Sequence, residues 1–354
     1  MNAEFWLGKR VFLTGHTGFK GGWLSLWLQA LGVELTGYAL KPPTDPSLFQ
    51  VAEVGGGMRS IIADVRELDR LKTEIAAAKP DIVIHMAAQP LVRASYLDPV
   101  GTYSVNVMGT VNVLEAVRNS PNTRVVLNIT TDKCYENREW LWSYREIEPI
   151  GGHDPYSNSK ACSELITTAY RSSFFPPERY SEHGVAIASA RAGNVIGGGD
   201  WADDRLIPDL VRACNSKKNL VIRDPSAVRP WQHVLDPLRG YLMLAEKLYQ
   251  EGPRWGEPWN FGPGENDNVT VDNVIHYFYE KWKGCSEYSK SDKPQPYEAH
   301  FLRLDSTKSR SKLGWIPRWH IERAVSAVVE WHRAHAQGEN MKSVTENQIT
   351  SYLL

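Results

Sequence analysis

A short apolar run, Val11-Phe12-Leu13-Thr14, passes directly into Gly15-His16-Thr17-Gly18-Phe19-Lys20-Gly21 and then into an apolar stretch that ends at Gly32. Few folds accommodate that order. The first run reads as a buried strand, and Phe19 to Leu31, closed by Gly32, reads as a helix. Glycines at every third position between them permit a tight turn and close backbone approach to a diphosphate. The unpaired N–H groups at the helix start favour that charge. A strand, a dinucleotide-binding turn and a helix are therefore expected from residue 10 to residue 32.

The alternation continues. Glu34–Ala39, Arg59–Ala63, Asp81–Met86, Arg124–Ile129 and Val185–Ala190 read as further strands, and Asp69–Lys79, Val100–Arg118 and Tyr156–Tyr170 as helices between them. Strands separated by helices predict an α/β fold, a Rossmann-type doubly wound parallel sheet with its ligands in the crevice at the carboxyl ends of the strands. After Arg191 the pattern breaks into Gly197-Gly198-Gly199 and scattered prolines. The expected organisation is a dinucleotide-binding domain over residues 1–190 and a smaller mixed α/β substrate domain over 191–354. The chain is expected to return to the first domain near 230–262, where Pro237–Gln250 reads as a helix and Trp259–Gly262 as a strand and turn.

Forty basic and 41 acidic side chains leave a formal charge of -1. No global field then draws the chain to nucleic acid or to an anionic membrane, and neither partner is expected. The segment before Val11 lacks a signal-peptide apolar core, and no run of roughly twenty apolar residues appears, so a cytoplasmic location without a membrane span is expected. Cys134, Cys162, Cys214 and Cys285 lack metal-ligand spacing and read as reduced thiols; no metal is expected.

Around the glycine loop, Asp64-Val65 offers a carboxylate and a backbone N–H to an adenine, or a helix cap. Ala87-Ala88-Gln89 leaves room for a cofactor backbone or for close helix packing. The second strand ends in Tyr38-Ala39-Leu40-Lys41 without the carboxylate that holds ribose hydroxyls in many NAD sites. Lys41 either meets a phosphate or is solvated, so the loop does not choose between NAD and NADP.

Tyr156 and Lys160 lie one helical turn apart and project to one side. A phenol beside an ammonium can exchange a proton with a substrate hydroxyl during hydride transfer. Thr131 follows a buried strand, in position to hydrogen-bond that hydroxyl or to cap the turn. Asp132 and Lys133 add acid and base groups that alcohol oxidation alone does not need, which points to elimination.

Together, Thr14 to Gly21, Asp64-Val65, Ala87 to Gln89, Asn106, Tyr156 to Lys160, Arg191 to Gly197 and Leu313-Gly314-Trp315-x-Pro317 resemble the extended short-chain dehydrogenase/reductase family over nearly the whole chain, and within it the nucleotide-sugar 4,6-dehydratases. The resemblance implies NAD as cofactor, held by Gly15, His16, Thr17, Gly18, Phe19, Lys20, Gly21, Asp64, Val65, Ala87, Ala88, Gln89, Asn106, Tyr156 and Lys160. It implies catalysis by Thr131, Asp132, Lys133, Tyr156 and Lys160. Most such dehydratases carry Thr-Asp-Glu where this chain has Thr131-Asp132-Lys133. That departure, with Arg191-Ala192-Gly193-Asn194 to Trp201, is similar to the branch acting on CDP-glucose.

In that chemistry Tyr156 takes the C4 hydroxyl proton as hydride leaves C4, and a base, with Lys133 as candidate, removes the C5 proton. Asp132 protonates the departing C6 hydroxyl, hydride returns to C6, and the tyrosine gives its proton back on the product side. Lys133 acts as base only when neutral; as a cation it stabilises the enolate instead. Asn194, Arg205 and Arg229 are the implied nucleotide-sugar contacts, while Arg191 reads equally as a diphosphate ligand or a packed structural cation. Deoxysugar supply for a surface polysaccharide such as a lipopolysaccharide O-antigen is implied, as is a homodimer or dimer-based homo-oligomer through helices around Val100–Arg118 and Tyr156–Tyr170. A dehydratase for another nucleotide sugar, a nucleotide-sugar 4-epimerase and an idle cofactor-binding protein are the competing readings.

Overall fold

In the computed structural model, which describes residues 2–285, 287–291 and 299–354, seven strands form one sheet. They are β1 (Arg10–Thr14), β2 (Glu34–Ala39), β3 (Arg59–Ile62), β4 (Ile82–His85), β5 (Val125–Ile129), β6 (Ala186–Ala192) and β7 (Pro258–Phe261). All pairings are parallel and the spatial order is β7-β6-β5-β4-β1-β2-β3. The order reverses between β1 and β4, and a crevice opens at such a switch point.

Helices cover both faces: α1 (Phe19–Ala30), α2 (Leu68–Ala78), α3 (Gly109–Arg118), α4 (Pro155–Ser173) and, from the later chain, α6 (Leu235–Glu251). Strands covered on both faces read as unbroken apolar runs, and β4 and β5 are buried at every residue. One core joins Trp23, Trp27, Trp259, Trp315 and Trp331 on the α1 and α6 face, and a second joins Phe12, Tyr38, Val83 and Val126 against α2 and α3. A third, smaller core gathers α5 (Leu206–Ser216), α7 (Val271–Trp282) and α8 (Ile321–Ala336), and a last helix, α9 (Met341–Leu353), packs on α8.

Two sequence expectations change. The helix read through Val100–Arg118 is broken into Pro99–Tyr103, one wide π-type turn at Ser104–Met108, and α3. The turn brings Asn106 inward, where its amide accepts from Gln89 N at 2.8 Å and donates to Gln89 O and Ser159 Oγ. The cysteines are also not four thiols: Cys214, ending α5, is bonded to Cys285, after α7, while Cys134 and Cys162 are free. The third core packs α5 near α7 and brings the two Cα atoms to 4.7 Å across 71 residues of chain, a proximity no local spacing reveals. No helix among the described residues is long and apolar enough to cross a membrane.

Several buried polar groups in these cores are uncharged by necessity. His85, His233 and His332 are each pushed down to about 3 by burial. His85 is seated between Thr14 Oγ1 at 2.8 Å and Thr110 Oγ1 at 3.3 Å. A histidine held neutral when folded takes up a proton when unfolded, so its contribution is intact above its ordinary pKa of 6.5 and is lost as pH falls from there toward about 3. Lowering pH from 6.5 to 5.5 is expected to cost roughly 1 kcal/mol for each such histidine. Urea denaturation at the two pH values checks this; an unchanged midpoint would show that these imidazoles protonate in place.

Candidate active site

The carboxyl ends of β1, β4, β5 and β6 open on one edge of the sheet, at Thr14, His85, Ile129 and Ala192. Thr14 Oγ1 accepts from the backbone N–H groups of Met86 and Ala87, both at 3.1 Å, which ties the glycine loop to the segment after β4. Gly15 lies at φ +83°, and a Cβ there would sit 2.8 Å from Ala87 N. A Cβ on Gly21 would sit 2.1 Å from Gly15 O. The loop thus folds on itself and on β4 with bare backbone. It delivers the first-turn N–H groups of α1, which have no intrahelical partner, to the crevice. These features fit a dinucleotide diphosphate.

Around this cradle, Thr17 Oγ1 donates to Leu40 O at 2.8 Å, and His16 is buried with Nε2 against Ser60 Oγ at 2.7 Å and Nδ1 unpartnered. The Asp64 carboxylate is gripped by Arg66 through Nε at 2.9 Å and Nη2 at 2.6 Å. Val65 is buried beside Gly109, and Lys41 is exposed. Ala88 is half-buried after β4; Gln89 folds its amide onto Leu91 and Thr102. Asn106, fully occupied by Gln89 and Ser159, shapes this segment from behind rather than offering a side chain to the crevice.

Next to the cradle is a cleft of about 410 Å³ whose lining includes Phe19, Lys20, Thr131, Asp132, Lys133 and Tyr156 together with Asn194, Arg205 and Arg229. Asp154 caps α4 by accepting from Ser157 N at 2.9 Å, with Pro155 in the first turn. Tyr156 and Lys160 consequently sit on the inward face of the first two turns, 9% and 6% exposed. Lys160 Nζ donates to Ile129 O at 3.1 Å, and burial pulls it down to about 8. Burial pushes Tyr156 up to about 12, opposed by the nearby Thr131 hydroxyl.

Thr131 is extended, and the chain then makes one 3-10 turn over Asp132–Cys134. Thr131 Oγ1 donates to Asp132 Oδ1 at 2.9 Å. Asp132 is 1% exposed, and its Oδ2 is buried with no hydrogen-bond partner among the described residues. Burial raises its pKa, opposed by Lys133, Thr131, Arg229 and Lys20. Desolvation here favours the acid form of the carboxyl group over its anion.

In the same cleft, Arg205 pairs with Asp200 at 2.8 Å. Arg229 is buried, donating to Val228 O at 2.9 Å and His300 O at 3.0 Å. Arg191 does not reach the cleft: Nε and Nη2 bond Glu164 at 3.0 and 2.9 Å, and Nη1 bonds Tyr135 at 2.8 Å. Of its two sequence readings, the packed structural cation is the one the structure adopts.

Sequence reading passed over Glu164 and Tyr241. Glu164 stands four residues after Lys160 on the same helical face, and an acidic residue on an otherwise buried face was the available signal. Tyr241, on α6, is fully buried with no hydrogen-bond partner for its hydroxyl among the described residues, and Lys20 Nζ lies 6.0 Å from its ring centre. Lys20 therefore turns into the reaction cleft, where burial pulls its pKa down to about 8, with Lys160 and Arg205 acting in the same sense.

The model of the NAD dependent epimerase/dehydratase family matches residues 11–262. The chain is 52% identical over 353 residues to a CDP-glucose 4,6-dehydratase of Salmonella typhimurium, covering 100% of this chain and 98% of that one. It is 27% identical to a probable dTDP-glucose 4,6-dehydratase of Sinorhizobium fredii, over 91% and 92% of the two chains. Among solved structures, the fold is shared with a UDP-glucose 4-epimerase of Thermotoga maritima in complex with UDP-glucose (TM-score 0.80, 20% identity, 92% of this chain and 99% of that one). It is also shared with a dTDP-glucose 4,6-dehydratase of Streptomyces venezuelae with NAD bound (TM-score 0.77, 21% identity, 94% and 99%). Glycine-loop cradle, parallel sheet and full-length likeness agree: the chain belongs to the NAD dependent epimerase/dehydratase family, in the extended short-chain dehydrogenase/reductase group that its motifs resemble.

Proposed function

We propose that this protein converts CDP-D-glucose to CDP-4-dehydro-6-deoxy-D-glucose, a hydro-lyase reaction that begins and ends with the same oxidised cofactor. The observation that carries the reading is Asp132: a buried carboxyl group, its pKa raised, with one oxygen unpartnered in the cleft that also holds Tyr156. An epimerase inverts C4 without expelling a hydroxyl and needs no such acid. The identity to the Salmonella protein supports CDP-glucose as the nucleotide sugar.

Bound at the glycine loop and Lys160, NAD supplies the acceptor for hydride at the start of the cycle and the donor at its end. Tyr156 accepts the C4 hydroxyl proton, for which it must ionise against its burial. Thr131 orients that hydroxyl. Once C4 is a ketone the C5 proton is acidic, and Lys133, which lines the cleft with Asp132, serves as the C5 base when neutral or stabilises the enolate when charged. Asp132 gives its proton to the C6 oxygen, which leaves as water. Asn194, Arg205 and Arg229, in the same cleft, hold the nucleotide diphosphate, the two guanidinium groups matching its oxygens.

The division into residues 1–190 and 191–354, with a return near 230–262, is retained as the functional layout: cofactor on the first part, nucleotide sugar on the second. A homodimer is proposed through the region of α3 and α4, where Val100, Met108 and Leu165 are 79%, 50% and 57% exposed. A cytoplasmic location follows from the proposed substrate and cofactor, both intracellular, and the product would feed deoxysugar assembly for a surface polysaccharide.

Purified protein incubated with CDP-glucose and NAD, with dTDP-, UDP- and GDP-glucose in parallel, is expected to yield water loss and a 4-keto-6-deoxy sugar from CDP-glucose without net NADH, read by mass and NMR. Conversion of another nucleotide glucose alone would overturn the CDP assignment. Tyr156→Phe is expected to lose about a hundredfold or more of turnover with cofactor binding preserved; undiminished turnover would remove Tyr156 from the proton-transfer step.

A further inference from the structure

The reaction closes its electrons within one turnover but not its protons. Hydride leaves C4 and returns to C6, so nothing is oxidised overall. The C5 proton passes to a base and comes back to C5. The C6 hydroxyl departs as water with a proton from Asp132, while the C4 hydroxyl proton is left on Tyr156. Product plus water equals substrate, so each turnover ends with one proton too many on Tyr156 and one too few on Asp132. The product carries a ketone at C4, so the return of the tyrosine's proton to the product that the family resemblance implied has no place at that oxygen. Before the next sugar can react, a proton must travel from Tyr156 to Asp132.

We infer that Thr131 is the relay that makes this transfer, a role that rests on the dehydration proposed above. Its Oγ1 already donates to Asp132 Oδ1 at 2.9 Å. The same hydroxyl lies near enough to Tyr156 to favour its ionised form. A phenol that donates to the threonine oxygen, while the threonine hydrogen points at Asp132, forms an oriented two-step path. One shift along it breaks the Tyr156 O–H and Thr131 O–H bonds and forms a new Thr131 O–H and an Asp132 O–H. Tyr156 is left ionised and Asp132 protonated, the pair of states the next turnover requires.

The rest of the geometry favours an internal path over exchange with solvent. Asp132 lines the cleft but is 1% exposed, its Oδ1 is tied to Thr131 and its Oδ2 is buried with no hydrogen-bond partner among the described residues. Lys160, the other group beside Tyr156, spends its ammonium on Ile129 O. Thr131 holds its own hydroxyl in place by accepting from Lys133 N at 3.4 Å, within the turn that carries Asp132. The two carboxylate oxygens thereby divide the work: Oδ2 serves the leaving hydroxyl and Oδ1 is recharged from behind.

The test compares first and later turnovers. Thr131→Val keeps the shape and removes the relay atom; Thr131→Ser keeps the relay atom; Thr131→Ala repeats the deletion with less packing demand should the valine variant not fold. Each holoenzyme is mixed with excess CDP-glucose and quenched at intervals. Both deletion variants are expected to slow the first turnover, through the lost hold on the C4 hydroxyl, and to slow every later turnover about tenfold or more beyond it, because reset is then added to chemistry. Added formic acid, small enough to protonate Asp132 from the cleft, is expected to speed only the slow phase, and the serine variant is expected to follow the wild type. A deletion variant whose first and later turnovers are equally slow, with no response to formic acid, would overturn the relay and leave Thr131 only its hold on the C4 hydroxyl. Failure of the wild-type protein to dehydrate CDP-glucose would instead overturn the activity on which the relay rests.

Discussion

Glu164 fixes the orientation of α4, and the candidate site depends on that orientation. Its two carboxylate oxygens accept from Thr130 at the end of β5, from Ser189 in β6, and from Arg191 through two nitrogens. Both partners of the ion pair are 3% exposed at the side chain. Burial disfavours the Glu164 charge, but Arg191 and the hydroxyl donors outweigh it and hold the carboxyl below its ordinary range. Removing one partner of such a pair leaves a buried charge and typically costs about 3–5 kcal/mol. One turn earlier on the same face, Lys160 is pressed onto the Ile129 carbonyl, and one turn before that Tyr156 is aimed at Thr131. The pair thus sets the azimuth of a helix whose working residues must meet the end of β5.

Desolvation supplies the rest of the chemistry. The same exclusion of water that pulls Lys160 and Lys20 down to about 8 raises Asp132 and pushes Tyr156 up to about 12. Two lysines are brought near neutrality and a carboxyl group toward its acid form, the direction elimination needs. Tyr156 is moved the wrong way for a base. Its ionisation must come from positive charge added to the cleft, and an oxidised nicotinamide brings such a charge. Proton abstraction is in this way conditional on a loaded cofactor site.

Much of this was legible in the chain because local patterns carried it. The bounds of β1 and β2 follow directly from apolar runs, and Tyr156 and Lys160 share a face because helical spacing demands it. The glycine pattern marked the tight turn, while its contact with Ala87 comes from β1 and β4 lying side by side. What was not legible depended on long-range packing. The π-type turn that swings Asn106 inward has no signature in a periodicity of 3.6. Whether Arg191 faced a diphosphate or a buried glutamate was settled by α4 lying against β6. The Cys214–Cys285 bond arose from two helices meeting 71 residues apart. Lys20 stood inside the glycine motif and so read as a cofactor residue, although its side chain turns toward Asp132 and Tyr241.

One cleft removes hydride from C4 and restores it at C6 of the same sugar in the reaction proposed here. CDP-glucose carrying deuterium at C4, mixed with unlabelled CDP-glucose and turned over to completion, tests it most directly. Internal hydride return puts one deuterium in the C6 methyl group of the molecules that began with it at C4, and none in the others. Label retained at C4, lost to solvent, or spread to the unlabelled sugars would contradict it.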